Sequence, residues 1–168
     1  MTASADFQVR RVGFSSGTDE ELTALHAVEA PVAAERGSNR MPHPIESYIA
    51  FARALPSDFD DHAWLAEAAD GTPAAAGLCW SHAAGDPRVM ECDVLVRPDH
   101  RRQSIGSRLL AAICDATCAE GRPLLTWSTF GTVPAGAAFS RRVGARIGRV
   151  NRASELVLAD VNWPTVET

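Results

Sequence analysis

Apolar and polar positions along the chain change period several times, and each change predicts an element. Phe7 and Val9 alternate with polar neighbours as a first strand would, as far as the turn residues Ser15-Ser16-Gly17. Thr18 then stands as a helix N-cap with Glu21 three residues on, a capping box, and Leu22, Leu25, His26 and Val28 follow at helical spacing. Asn39 to Pro44 breaks the pattern, and 45–55 resumes it as a second helix ended by Pro56. From His62 the period falls to two. Segments 63–69 and 74–82 read as strands joined at Asp70-Gly71-Thr72-Pro73, and a turn over 83–87 leads to a third strand, 89–96, completing an antiparallel meander. On that third strand Met90, Cys92, Val94 and Val96 share one face while Glu91, Asp93 and Leu95 share the other, so two carboxylates lie on one side.

Ile105, Leu109, Leu110, Ile113 and Thr117 repeat at three and four, predicting a helix from about Ser104 to Glu120 closed by Gly121. A strand is expected over 123–129, a short helix over 134–143 stopped by Gly144, and one or two last strands within 145–161. The order βααβββαβαβ predicts a mixed α/β layer fold. With 168 residues, and no internal repeat or linker, one domain over 1–168 is expected, large enough to bury a core without disulfides or metals.

Composition narrows the classes. A net charge of −5 argues against a nucleic-acid binder, which needs a broad basic field. No run reaches the roughly 18 to 20 apolar residues that span a bilayer, and the opening MTASADFQVR is no signal peptide, so a cytoplasmic protein without membrane contact is expected. Cys79, Cys92, Cys114 and Cys118 form no CxxC pair and have no histidine at ligand spacing, which predicts free thiols and no metal.

The segment RPDHRRQSIGSRLL, 97–110, carries four arginines and one acid within this acidic chain. It joins a strand end to a helix start, where the first-turn amides lack partners inside the helix and the dipole is positive. Small residues at Ser104, Gly106 and Ser107 let an oxygen approach the backbone, and Arg101 and Arg102 can add charge-assisted bonds. The anion is expected to be a pyrophosphate; a solvated arginine cluster before an ordinary core helix is the plain alternative.

VLVRPDHRRQSIGSRLL, 94–110, closely resembles the acetyl-CoA segment of the GNAT superfamily of N-acetyltransferases, whose signature is Arg or Gln, two residues, Gly, one residue, then Gly or Ala; here it runs from Arg101 to Gly106. The resemblance is looser, as an order of elements, from Phe7 to Val161. It implies a mostly antiparallel twisted sheet with splayed central strands and flanking helices. It also implies that Val94, Leu95 and Val96 meet the pantetheine arm and acetyl group of acetyl-CoA. Arg101, Arg102, Gln103, Ser104, Ile105, Gly106 and Ser107 would lie at the pyrophosphate. The mechanism implied is direct attack of a neutral amine on the thioester, with a strand amide near Val94 as oxyanion donor. Glu91 and Asp93 are candidates for the base, directly or through water; the alternative is that both merely solvate an open sheet face.

Three positions depart from the family pattern. Ser104 stands at the first glycine, Val133 at an asparagine near the last helix, and Ser140 at the tyrosine that protonates the leaving thiolate. Ser140 or a water can substitute as the acid, and a thiol pKa of about 8.5 makes CoA a tolerable leaving group without one. Tyr48, Trp80, His82, Trp127, Glu29 and Glu46 could border the acceptor site. The tail SELVLADVNW is similar to the junction after the first half of tandem GNAT proteins. The reading is therefore an acetyl-CoA-dependent N-acetyltransferase acting on a small-molecule amine, with a noncatalytic CoA-binding or scaffold domain as the alternative and a protein N-acetyltransferase as a third. Acceptor identity, acyl length and assembly, a homodimer included, stay open.

Overall fold

The computed structural model describes residues 7–36, 43–56, 59–81 and 85–151. Their elements run β1 (Phe7–Val12), α1 (Asp19–Arg36), α2 (Ile45–Arg53), β2 (Asp60–Ala68), β3 (Pro73–Ser81), β4 (Val89–Val96), α3 (Ile105–Ala119), β5 (Leu124–Thr126) and α4 (Pro134–Arg142). The five strands form one sheet in sequence order, antiparallel from β1 to β4 and parallel between β4 and β5. The expected mixed α/β architecture is the one found.

Local chemistry sets the helix ends. The Glu21 amide donates to Thr18 Oγ1 at 3.2 Å and the Thr18 amide to Glu21 Oε2 at 3.0 Å, the reciprocal bonds of a capping box. Gly121, at φ 77°, ends α3. The predicted β4 is found residue for residue, and its alternation sorts two cores. Met90 and Cys92 pack with Ile105, Leu109 and Ile113 of α3, whereas Leu95 packs with Leu22, Leu25 and Val28 of α1 and with Tyr48 of α2. All four cysteines are thiols.

Two expectations change at the C-terminal side. The strand expected over 123–129 shrinks to the three residues of β5, because only Val89–Glu91 of β4 pair with it. Residues 145–151 join no described strand; the remainder of the last predicted strands, 152–161, and the tail SELVLADVNW lie outside the described residues, as does His82. Among the described residues no helix is long and apolar enough to cross a membrane.

Candidate active site

The end of β4 organises the site. The Arg97 amide donates to the Ala74 carbonyl at 3.0 Å, continuing the β3–β4 ladder one pair beyond Ala75 and Val96. In an antiparallel ladder alternate residues turn their main-chain groups to the same neighbour. Leu95, Asp93 and Glu91 therefore bond toward β3, and Val96, Val94 and Cys92 aim theirs at the opposite edge. The Val96 carbonyl accepts from Arg101 Nε at 3.2 Å on that edge. With β5 ending its pairing at Glu91, a wedge opens beside Cys92–Val96, lined by main-chain donors and acceptors.

Beyond the wedge the chain makes one tight helical turn at Pro98–His100 and enters α3 through a strained loop. Arg102 and Ser104 hold φ at 65° and 63°, the left-handed region that favours glycine. That conformation turns the loop so that the first amides of α3, at Ile105, Gly106 and Ser107, face outward together. Gly106 suits its place sterically: a Cβ there would come within 3.3 Å of Val96 Cγ2 and 3.5 Å of Phe139 Cε2.

Three of the four arginines of 97–110 are used inside the fold. Arg97 pairs with Asp99 at 2.8 Å, Arg108 Nη2 donates to the Phe7 carbonyl at 2.8 Å, and Arg101 grips Glu35 of α1 through bonds of 2.8 and 2.5 Å. This fork holds the Glu35 carboxyl below its ordinary range and the Arg101 guanidinium above its own. Arg101 thus ties the loop to α1, while Arg102 is exposed and forms no ion pair among the described residues. A further cation arrives from α4: Arg142 Nη2 lies 3.3 Å from Ser107 Oγ, its guanidinium over the Phe139 ring. No spacing signal in the sequence connects positions 107 and 142. Main-chain amides flanked by Arg102 and Arg142 fit a phosphate-bearing ligand such as the CoA moiety.

On the α1–α2 face of the sheet, β4 borders a cavity of about 550 Å³. Glu29, Asp61 and Asp93 contribute carboxylates to it, and Phe14, Tyr48 and Trp80 aromatic rings. Asp93 is half-buried there, whereas Glu91 is exposed two pairs along the strand, opposite Trp80, and does not line the cavity. Asp61, which residue spacing did not single out, is held by the Ser15 amide at 3.0 Å and Ser15 Oγ at 2.7 Å. Burial, aided by the Asp93 charge, pushes the Glu29 carboxyl up. The Tyr48 phenol is pushed up too, first by burial and then by Glu29; its hydroxyl is fully buried beside that carboxylate without reaching hydrogen-bond geometry. Glu46 is exposed on α2 and lies outside the cavity lining.

The sequence profile of the Acetyltransferase (GNAT) family matches residues 26–144. The chain belongs to the GNAT family. Among its relatives, mycothiol acetyltransferase of Frankia casuarinae is 31% identical over 71 residues, which are 42% of this chain and 20% of that protein. The chain thus matches about a fifth of the length of that relative. The GNAT fold is shared with an aminoglycoside N-acetyltransferase, AAC(6')-Iy, in complex with CoA, at a TM-score of 0.66 and 13% identity over 92% of this chain and 98% of that one. A tandem GNAT protein from the clavulanic acid biosynthesis pathway superposes at a TM-score of 0.65 with 23% identity, over 82% of this chain and 43% of the tandem.

At the GNAT tyrosine position, Ser140 Oγ accepts from Trp127 Nε1 at 2.9 Å and donates to the Gly136 carbonyl at 3.1 Å. Its single proton is engaged within α4. Val133, at the asparagine position, is buried and starts that helix. Away from these, Asp60, His62 and Glu120 place ligand-type atoms within 4.8 Å of one another, but Arg122 bonds Asp60 at 2.6 Å and Arg11 approaches both His62 and Glu120. The arginines already compensate those carboxylates.

Proposed function

We propose that this GNAT chain transfers the acetyl group of acetyl-CoA to a primary amine of a small molecule by direct attack. The observation that carries the reading is the meeting of two features at one strand. Cys92, Val94 and Val96 present main-chain groups to the wedge beside β5, and Asp93 between them enters an acidic cavity on the α1–α2 face. A thioester held along the wedge would lie within reach of an amine held in the cavity.

Each element then has a task. The amides from Gln103 to Ser107, with Arg102 and Arg142 beside them, hold the pyrophosphate. Val94 and Val96, on either side of Leu95, bind the pantetheine arm through the main chain, and the Val94 amide, aimed into the wedge, donates to the developing oxyanion. Asp93 removes the ammonium proton, directly or through water; Glu29, with its raised pKa, is placed to receive or share that proton. The departing thiolate takes its proton from solvent, or from Ser140 at the cost of the bond to Gly136.

A noncatalytic CoA-binding domain is the second reading, favoured by the engaged proton of Ser140. Thiol release measured over a panel of amines separates the two. The chain contains no lysine, so transfer to its own side-chain amines adds no background. Asp93→Asn is expected to lower kcat/KM by about 10²- to 10³-fold, and Glu91→Gln to change it less than about threefold. Acetyl-CoA binding by calorimetry without thiol release for any amine would favour the binder. No acetyl-CoA binding at high micromolar concentration would sink both readings.

A further inference from the structure

The acceptor cavity holds more negative charge than one reacting amine requires. Asp93 borders the wedge, so the attacking nitrogen belongs beside it. Asp61 lies elsewhere on the same face: it stands opposite Trp80 on β3, which stands opposite Glu91 on β4, two residues before Asp93. Two strand spacings across and two residues along separate the Asp61 and Asp93 backbones by roughly 12 Å, and side chains turned into a common cavity bring the carboxylates to about 8–12 Å.

Asp61 is built as a binding group. The Ser15 amide and hydroxyl bond one carboxylate oxygen each, which orients the group, and among the described residues no arginine or histidine is paired with it. Between the two acids the floor is apolar, made by Leu78 and Trp80, and Phe14 stands in the wall. The buried Tyr48 hydroxyl lies beside Glu29 at the same cavity. An uncharged alkyl tail would desolvate Asp61 with only its two Ser15 bonds to offset the cost, whereas a cation supplies an electrostatic partner.

From this we infer that the acceptor is a dication, a primary amine joined through an apolar spacer to a second positive charge held by Asp61. The inference rests on the acceptor-site reading above and adds the substrate class and the residue that selects it.

The test compares 1,8-diaminooctane, octylamine and 1,3-diaminopropane as acceptors, for wild type and Asp61→Asn, in low salt. In wild type, kcat/KM for diaminooctane is expected to exceed that for octylamine by about tenfold or more, with diaminopropane too short to gain. Asp61→Asn should collapse the diaminooctane-to-octylamine ratio toward one, chiefly through KM. An unchanged ratio, or a wild-type ratio near one, overturns the dication. A ratio kept while both rates fall assigns Asp61 to loop support through Ser15 and overturns it equally. If no amine releases thiol, the same three ligands are titrated by calorimetry with CoA present. Selective binding of diaminooctane that Asp61→Asn removes then supports the dication although acetyl transfer has failed, and equal or absent binding overturns it.

Discussion

Ser104 holds φ at 63° with a Cβ in place, where the backbone approach to an anion is best made by glycine. A non-glycine residue in that region costs about 1 kcal/mol, and no side-chain cap bond offsets it, since the Ser104 hydroxyl makes none to α3. Ser104→Gly is expected to raise stability by about 1 kcal/mol, read by chemical denaturation, and to keep or tighten acetyl-CoA binding in calorimetry. Tighter folding with a large loss of affinity would instead show that the hydroxyl itself binds phosphate. Arg101 shows the converse case. Its position in the signature marks it for the anion, yet its guanidinium is spent on Glu35, 66 residues away, and on the Val96 carbonyl.

The decisive element-scale feature is the parting of β4 from β5 after Glu91. It depends on α3 seating against the sheet so that the Arg101–Gly106 loop sits at the wedge mouth. Gly77 of β3 provides the seat: a Cβ there would lie 2.7 Å from Ile113 Cδ1 and 3.4 Å from Leu109 Cδ1. Gly77→Val is therefore expected to destabilise by about 1–3 kcal/mol through overpacking. Because the helix carries the loop amides, acetyl-CoA affinity should fall in the fraction that remains folded. Unchanged stability and affinity would mean that α3 can shift without moving the loop.

Over the whole molecule, the cavity on the α1–α2 face stores a stability cost in its buried acid. Glu29 titrates above the ordinary carboxylate range because burial penalises its charge. Below the ordinary glutamate pKa, about 4.3, the group is protonated in both folded and unfolded chains and costs nothing; as pH rises through the raised native value, stability is lost. Glu29→Gln should therefore melt higher than wild type at neutral pH, with the difference closing as pH falls toward about 4. A constant offset at every pH would assign the effect to packing. Much of this architecture was legible in residue order. The capping box at Thr18, the stop at Gly121, the alternation of β4 and the Arg101–Gly106 signature are local patterns whose physics acts within a few residues, and they determined the elements, the fold class and the family. Tertiary structure decided the rest. That Asp93 enters the cavity and Glu91 does not, that Arg142 reaches Ser107 at the start of α3, that Asp61 is braced by a serine 46 positions earlier and that β5 ends after three residues are all matters of which distant segments meet. Strand pairing and helix seating set those meetings, and no spacing along the chain encodes them.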